Sequence, residues 1–209
     1  MVLKKSSIMK QLLYTCILSL VLWSCGDDEE NFAPKPKGFN RISLPKSEYV
    51  GLDTTYPYTF EYSKHAIIRK DSSKIAEPYW IHVIYPKLGR AEIQITYKDI
   101  SDDPQKKLME LIEDSHRLAS KHLYRADAMK YYEHRNADNQ PVLALGLTGE
   151  IPSHLQFYTT DSVKHFLRAA IYFRTATEND SLAPVIDFVK KDMLHMIATQ
   201  KFKKNTNKK

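Results

Sequence analysis

The fold is decided by the stretch Tyr79-Trp-Ile-His-Val-Ile-Tyr-Pro-Lys-Leu-Gly-Arg-Ala-Glu-Ile-Gln-Ile-Thr-Tyr97. Its first seven residues are apolar at both odd and even positions, which favours a central strand, Tyr79–Tyr85. Its last seven residues alternate strictly between apolar and polar side chains, which is typical of a strand with one buried face, Ala91–Tyr97. Pro86-Lys-Leu-Gly89 supplies turn residues between the two, so the stretch predicts a β-hairpin.

An amphipathic helix is predicted directly after this hairpin. Asp102 or Asp103 is suited to cap its first turn, and Pro104 suits the first helical position because its missing N–H would have no partner there. Apolar and small residues then recur every three to four positions, which predicts one face turned towards a core. That face consists of Leu108, Leu111, Ile112, Ser115, Leu118 and Ala119.

Six further strands and a second helix complete the predicted domain. The strands are Tyr56–Tyr62, Ala66–Arg69, Ala128–Arg135, Val142–Leu147, Leu155–Thr159 and Phe166–Arg174. The second helix is expected to begin at Asp180 or Ser181, with Pro184 in its first turn. Its apolar face consists of Leu182, Val185, Ile186, Val189, Met193, Met196 and Ile197. Because strands outnumber helices and come in runs, we predict one α+β domain over residues 49–199, mainly an antiparallel sheet flanked by two main helices.

The first 24 residues have the layout of a bacterial lipoprotein signal. Three lysines among residues 4–10 precede an apolar run over residues 11–23, and Ser24 precedes Cys25. This order is typical of a secretion signal that is too short to span a bilayer. Leu22-Trp-Ser-Cys25 resembles the lipobox, in which a cysteine thiolate is alkylated by a diacylglycerol before cleavage. We therefore predict a signal peptide over residues 1–24 and lipidation at Cys25; Cys16 is the poorer candidate, and a buried N-terminal helix is the competing interpretation.

Charged segments flank the predicted domain. Residues 25–48 combine four adjacent acids with three prolines, which predicts a lipidated, acidic and Pro-rich tether. Five lysines among residues 200–209 predict a basic, disordered tail. Loss of the three signal lysines lowers the formal net charge from +6 to +3, and the five tail lysines leave about −2 for residues 25–199. The basic composition is therefore no indication of a nucleic-acid partner.

The sequence offers little support for metal or cofactor chemistry. The eight histidines show none of the HxH, HxxxH or HExxH spacings. Loss of Cys16 with the signal and alkylation of Cys25 would leave the mature chain without a thiol. The six glycines are scattered singly and form no phosphate-binding loop. We therefore expect no metal and no cofactor.

Asp161, Ser162 and His165 form the one local cluster with the residue types of nucleophilic catalysis. A catalytic triad needs its serine on a sharp elbow and its histidine on another element. Here a predicted strand runs into a Thr/Asp/Ser turn, which favours hydrogen bonds from turn amides instead. We therefore expect no enzyme, and catalysis by these three residues stays the minority hypothesis.

Aromatic residues are the strongest candidates for binding. The 13 tyrosines, often in pairs, are suited both to core packing and to anchoring an interface. The candidate interaction residues are Trp80, Tyr85, Tyr158, Asp161, Ser162, His165, Arg168 and Tyr172. A deep cleft lined by Trp80, Tyr85 and Tyr172 would favour glycan or peptide binding, whereas a flat aromatic surface would favour scaffolding.

Five segments, in one order along almost the whole mature chain, resemble a known family. They are Pro34-Lys-Pro-Lys-Gly-Phe-Asn-Arg-Ile-Ser-Leu-Pro45, Pro57-Tyr-Thr-Phe60, Gln156-Phe-Tyr-Thr-Thr-Asp-Ser162, His165-Phe-Leu-Arg-Ala-Ala-Ile-Tyr-Phe173 and Asp180-Ser-Leu-Ala-Pro184. In these residues, and in its lipoprotein signal, the chain is similar to GldD, a family of gliding-motility lipoproteins of Bacteroidetes. The strand-rich body also resembles the Mog1/PsbP type of α+β fold.

The resemblance implies a cell-envelope protein that is needed for gliding and is tied to type IX secretion, with no catalytic residue to carry over. We therefore expect a non-enzymatic outer-membrane lipoprotein, anchored by its N-terminal lipid with palmitate among the acyl chains. Its expected partners are the membrane and other gliding and secretion proteins of the envelope, which it would help to assemble or scaffold. The alternative is an envelope lipoprotein that binds a glycan or a peptide.

Overall fold

Eleven strands and two α-helices occupy residues 42–174 and 179–204, the part of the chain that this computed structural model describes. The strands are β1 (Tyr49–Gly51), β2 (Tyr58–Thr59), β3 (Glu61–Ser63), β4 (Ile67–Lys70), β5 (Ile81–Tyr85), β6 (Ala91–Asp99), β7 (Ala126–Arg135), β8 (Pro141–Gly149), β9 (Leu155–Thr160), β10 (His165–Tyr172) and β11 (Lys201–Phe202). The helices are α1 (Pro104–Ser120) and α2 (Asn179–Thr199), and a 3₁₀ turn, Leu123–Arg125, precedes β7. The predicted signal peptide, the lipidation site Cys25 and tether residues 26–41 lie outside the described residues.

Seven strands form one antiparallel sheet in the order β4-β5-β6-β10-β9-β8-β7. Two short pairs, β1 with β3 and β11 with β2, are also antiparallel. The predicted α+β fold with a mainly antiparallel sheet and two main helices is therefore confirmed. The predicted strand Tyr56–Tyr62 is wrong in one respect, because it is divided into β2 and β3, each with its own partner strand.

The predicted hairpin is present as β5 and β6, with Ile81 opposite Ile95 and Tyr85 opposite Ala91. Burial alternates along both strands, so each turns one face to the core. The first strand begins at Ile81 rather than at Tyr79, because Tyr79 has a left-handed backbone with φ 71° and cannot continue an extended strand.

The main core lies between one face of the sheet and α2. The buried helix residues are Val185, Ile186, Phe188, Val189, Met193, Met196 and Ile197, which contains all of the predicted face except the half-buried Leu182. Full burial of side chains of this size stabilises the fold by about 1.5–3 kcal/mol each. The helix includes Asn179, so Pro184 lies inside it and not in its first turn as predicted.

The other face of the sheet carries α1. Its cap is as predicted, since the Asp103 side chain accepts from the Lys106 N–H at 3.3 Å and Pro104 is the first helical residue. Its apolar face is less buried than predicted, because only Ser115 and Ala119 are buried and Leu118 is exposed. The smaller core on this side contains Ala119, Leu145, Leu147 and Ile151.

The folded domain extends further into the predicted tether and the predicted tail than the sequence indicated. The predicted disordered tail is wrong over its first residues, because Lys201 and Phe202 pair with β2 and Phe202 is only 6% exposed. Phe202 is buried although lysines flank it, because the backbone of its segment pairs with the free edge of β2. At the other end, Ile42 and Leu44 of the predicted tether pack against the main core.

Candidate functional site

The predicted interaction residues are distributed over three places in the fold. Asp161, Ser162 and His165 lie at one end of the sheet, where His165 is opposite Asp99, and Trp80 lies close to this end. Tyr158, Arg168 and Tyr172 point to the α1 side, as their positions on β9 and β10 dictate. Tyr85 lies in the main core.

Tyr85 is a core residue and not part of an interaction surface, which corrects the prediction. It is 1% exposed, and its hydroxyl donates to Asp192 Oδ2 at 3.1 Å. The Tyr49 hydroxyl donates to the other oxygen of the same carboxyl at 3.0 Å. Burial raises the pKa of Asp192 above the usual range of an aspartate, against the opposite effect of these two hydroxyl donors.

Asp161 organises the turn between β9 and β10. Its Oδ1 accepts from the backbone N–H groups of Val163 at 3.0 Å, Lys164 at 2.8 Å and His165 at 2.8 Å. Burial alone would raise the pKa of Asp161, but these three amides outweigh it and lower that pKa. Ser162 sits at the tip with φ 63°, and its N–H donates to Thr160 Oγ1 at 2.9 Å. The prediction of amide hydrogen bonds within this turn is confirmed.

His165 is buried next to this turn, at 5% exposure. Its Nδ1 is 2.7 Å from the Tyr97 hydroxyl, its Nε2 is 4.0 Å from Asp161 Oδ2, and its ring stacks on Phe202 at 5.0 Å. Burial lowers the pKa of His165, against the opposite effect of the nearby Asp161 carboxylate. Among the described residues, no hydrogen bond joins the Ser162 hydroxyl to a histidine, and these residues build a braced turn rather than a catalytic triad.

Tyrosines surround a surface cleft of about 610 Å³ beside His165. We name it the tyrosine cleft and define it by Tyr56, Tyr79, Tyr97 and His165. The Tyr79 ring lies 6.4 Å from that of Tyr56 and 5.8 Å from that of Tyr97. The Tyr58 hydroxyl donates to the Tyr79 carbonyl at 2.6 Å and so helps to hold the left-handed backbone that exposes this ring.

The tyrosine cleft has charged groups of both signs at its rim: Glu77, Asp99, Lys164, Lys203 and Lys204. Trp80 lies next to it, with its indole N–H donating to the Tyr97 carbonyl at 2.9 Å and the Lys98 ammonium 5.4 Å from its ring. Sequence reasoning missed Tyr79 and Tyr97 as site residues. In the sequence, Tyr97 is recognisable only as the end of an alternating strand. No local sequence feature indicates that the backbone of Tyr79 is left-handed.

A second depression, the α1 groove, runs between α1 and strands β7–β9. It is lined by Leu108, Ile112, His116, Tyr131, Leu143 and Tyr158. Rings of Tyr131 and Tyr158 lie 6.0 Å and 6.1 Å from His116, and Arg168, opposite Tyr158 in the sheet, donates to Gln156. The half-buried apolar side of α1 is therefore the wall of an open groove.

Tyr172 stands apart from the tyrosine cleft and makes an edge contact with His122 at 6.2 Å. Burial and then the Arg168 charge lower the pKa of His122. Trp80, Tyr85 and Tyr172 therefore line no common cleft, since they lie near one end, in the core and on the α1 side.

Two kinds of feature are absent from residues 42–174 and 179–204. No helix there is long and apolar enough to cross a membrane. No group of three histidine, cysteine, aspartate or glutamate side chains in the same residues could hold a metal ion.

Comparisons with known proteins identify a family. The family described as gliding motility lipoprotein GldD matches residues 29–202. No curated protein matches the chain. Among solved structures, the solution structure of the cyanobacterial PsbP protein CyanoP from Synechocystis is similar over 78% of this chain and 98% of that chain, with 13% sequence identity and a TM-score of 0.39. The family match spans the tyrosine cleft, the α1 groove and every predicted interaction residue.

Proposed function

Because the chain belongs to the GldD family of gliding motility lipoproteins, we propose that it is a non-enzymatic component that assembles or scaffolds the gliding apparatus. The family match over residues 29–202 carries this proposal, because it spans nearly all of the described residues and is not confined to a short motif. The proposed role includes the associated type IX secretion of surface adhesins.

The proposed anchor is a lipid on Cys25, exposed by removal of residues 1–24. Each methylene that enters the bilayer contributes about 0.8 kcal/mol, so two or three acyl chains, palmitate among them, hold a protein at a membrane permanently. The proposed location is the outer membrane of a member of the Bacteroidetes, with the domain held off the surface by the acidic, Pro-rich segment.

The surroundings of the nucleophile candidates support a non-enzymatic role. Ser162 is held by turn geometry, and both nitrogens of His165 face other groups, Tyr97 and Asp161. The pKa of His165 is lowered, first by burial, and its Nδ1 already lies 2.7 Å from the Tyr97 hydroxyl. The scattered placement of Trp80, Tyr85 and Tyr172 agrees with scaffolding better than with a single deep pocket.

The α1 groove is the surface that we assign to protein contact in this scaffold. Its apolar lining, including Leu108 and Ile112, suits an apolar segment of another envelope protein. We expect Leu108→Lys to abolish co-purification of cross-linked envelope partners from detergent extracts. Ile67→Lys is the matched control, because Ile67 is exposed on β4, at the opposite edge of the sheet. Equal recovery of partners with both folded variants contradicts this assignment.

A gene deletion complemented with matched alleles tests the proposed function. The deletion strain should lose colony spreading and adhesin export, and the wild-type allele should restore both. Cys25→Ala should leave the membrane fraction and fail to restore spreading, whereas Ser162→Ala should restore it fully. Normal spreading in the deletion strain contradicts the gliding role, and loss of spreading with stable Ser162→Ala protein contradicts the non-enzymatic role.

The tyrosine cleft favours a second candidate function, the binding of a glycan or a peptide. Rigid tyrosine rings beside charges of both signs suit either ligand. Trp80 is the only tryptophan after residue 24, so its fluorescence reports on the adjoining cleft. Addition of peptidoglycan fragments should change this fluorescence in the wild type but not in Tyr79→Ala, while Tyr124→Ala, exposed outside the cleft, is the control. No change in the wild type contradicts glycan binding.

A further inference from the structure

β7 is the longer of the two edge strands of the main sheet, with a register shift near its start, between Ala126 and Ala128. It has ten residues, and no other strand in the described part of the chain pairs with its outer side. The opposite edge, β4, has only four residues and ends in Arg69 and Lys70, which is how proteins usually protect an edge from pairing. β7 instead exposes Tyr131 by 48%, Tyr132 by 41% and Met129 by 42%.

The backbone groups of β7 that face outward can be identified from its hairpin with β8. Just beyond the strand, the Asn136 N–H donates to the Gln140 carbonyl at 3.1 Å, and Arg135 lies opposite Pro141, which has no N–H. Because bonded and non-bonded pairs alternate in an antiparallel ladder, the even-numbered residues of β7 bond to β8. The odd-numbered residues, from 129 to 135, therefore turn their N–H and C=O groups towards the open edge.

We propose that β7 pairs antiparallel with β7 of a second copy of this chain, centred on Tyr131, so that two sheets become one. In a continuous sheet, directly opposite residues have their side chains on the same face. The two-fold axis that relates the two copies of β7 must therefore pass between the two copies of one and the same residue. The two positions nearest the middle of the strand are Lys130 and Tyr131, and charge decides between them.

The ladder of β7 is regular over Ala128–Arg135, whereas Asp127 lies at a register shift and has no fixed partner. Within this regular part, centring on Tyr131 places Glu133 opposite Met129 and sets no like charges opposite each other. Lys130 then lies opposite Tyr132, a pairing of the same kind as the contact within one chain, where the Lys130 ammonium is 5.5 Å from the Tyr132 ring. Centring on Lys130 would instead place the two Lys130 side chains directly opposite each other. Like charges directly opposite destabilise a strand pair, so the Tyr131 centre is selected.

Cysteine cross-linking of the full-length protein in its own cells tests the register. Cys16 and Cys25 are the only cysteines of the chain, so the unsubstituted protein is the background control. Tyr131→Cys should give a disulfide-linked band at twice the mass of one chain on mild oxidation. Lys130→Cys is the matched control: with Tyr131 at the centre, its two Cα atoms lie roughly 8 Å apart, beyond the limit of about 7 Å for a disulfide.

Charge substitution opposite Glu133 tests the pairing independently. With Tyr131 at the centre, Met129→Glu places like charges opposite each other and should reduce the Tyr131→Cys cross-link at least fivefold, whereas Met129→Lys places opposite charges there and should not reduce it. Met129, Lys130 and Tyr131 are all exposed, so no core cavity is created. Absence of the dimer band, an equal band from Lys130→Cys, or an adduct with a different protein overturns the proposal. Because the readout is cross-linking and not spreading, this outcome is separate from that of the proposed function.

Discussion

The buried carboxyl of Asp192 gives the sharpest test of how the core is held. It is 1% exposed and takes one hydroxyl donor on each oxygen, from Tyr49 at 3.0 Å and Tyr85 at 3.1 Å. Tyr85→Phe keeps the ring and removes only the hydroxyl. The carboxyl then loses one donor in a site where no bulk water replaces it.

The expected cost follows from the energy of hydrogen bonds to charged groups. Such a bond contributes about 1.5–3 kcal/mol, and a buried acceptor left without a partner costs about 1–3 kcal/mol. These are two descriptions of one loss, so we expect Tyr85→Phe to lower the free energy of unfolding by about 2 kcal/mol at pH 7. For a domain of this size, that corresponds to a fall in Tm of roughly 4–8 °C.

The effect has a definite pH dependence. The folded state raises the pKa of Asp192, mainly through burial, so this group contributes stability below its unfolded pKa and loses it as pH rises through the raised value. The Tyr85 hydroxyl acts in the opposite direction, because it favours the carboxylate. Removal of this hydroxyl should therefore lower the free energy of unfolding most above the folded-state pKa of Asp192, and less at about pH 4.

Urea unfolding followed by circular dichroism, at pH 7 and at acid pH, measures both quantities. Tyr172→Phe is the control, since no hydrogen bond of its hydroxyl is found among the described residues, and it should change the free energy by less than about 0.5 kcal/mol. In an Asp192→Asn background, Tyr85→Phe should cost only about 1 kcal/mol, the value for a neutral hydrogen bond. A Tyr85→Phe effect equal to that of the control, or one that grows towards acid, refutes the reasoning.

Three further predictions concern the His165 end of the sheet. The folded state lowers the pKa of His165 through burial. The contribution of His165 to stability is therefore present above its unfolded-state pKa and is lost as pH falls through its folded-state pKa. His165→Gln should flatten the pH dependence of the free energy of unfolding in urea between pH 7 and pH 5. Phe202→Ala should lower the unfolding free energy by about 3–5 kcal/mol, whereas deletion of residues 205–209 should leave the denaturation midpoint unchanged. Asp161→Ala should cost about 1–2 kcal/mol through three unpaired amides, while Ser162→Gly should stabilise by about 1 kcal/mol by relieving a left-handed backbone, both measured by thermal unfolding.

Local signals predicted the elements whose cause is local. The strict alternation over Ala91–Tyr97 predicted a strand with one buried face, and the burial of β6 follows it residue by residue. Asp103 and Pro104 predicted the start of α1, because capping depends on residues within one turn. The role of Asp161 in its turn was predictable for the same reason, as its three amide donors lie within four residues.

Residues with distant partners were predicted less well. Tyr85 was expected at an interaction surface, and Asp192, 107 positions later, makes it part of the core. Phe202 stands among lysines that indicated a disordered tail, and pairing of its strand with Tyr58–Thr59 buries it. The candidate cleft also escaped prediction, because the left-handed Tyr79 depends on a hydroxyl donated by Tyr58 and on its neighbours Tyr56 and Tyr97.

By itself, the sequence determined the hairpin, the two helices, the α+β class and the resemblance to a lipoprotein family, since periodicity, caps and ordered motifs all act over short distances. Only the tertiary structure decided which aromatic rings are buried, which line the tyrosine cleft and which edge strand stays open. The physical reason is that burial and exposure are properties of a residue's spatial neighbours, and in this sheet most neighbours come from distant parts of the chain.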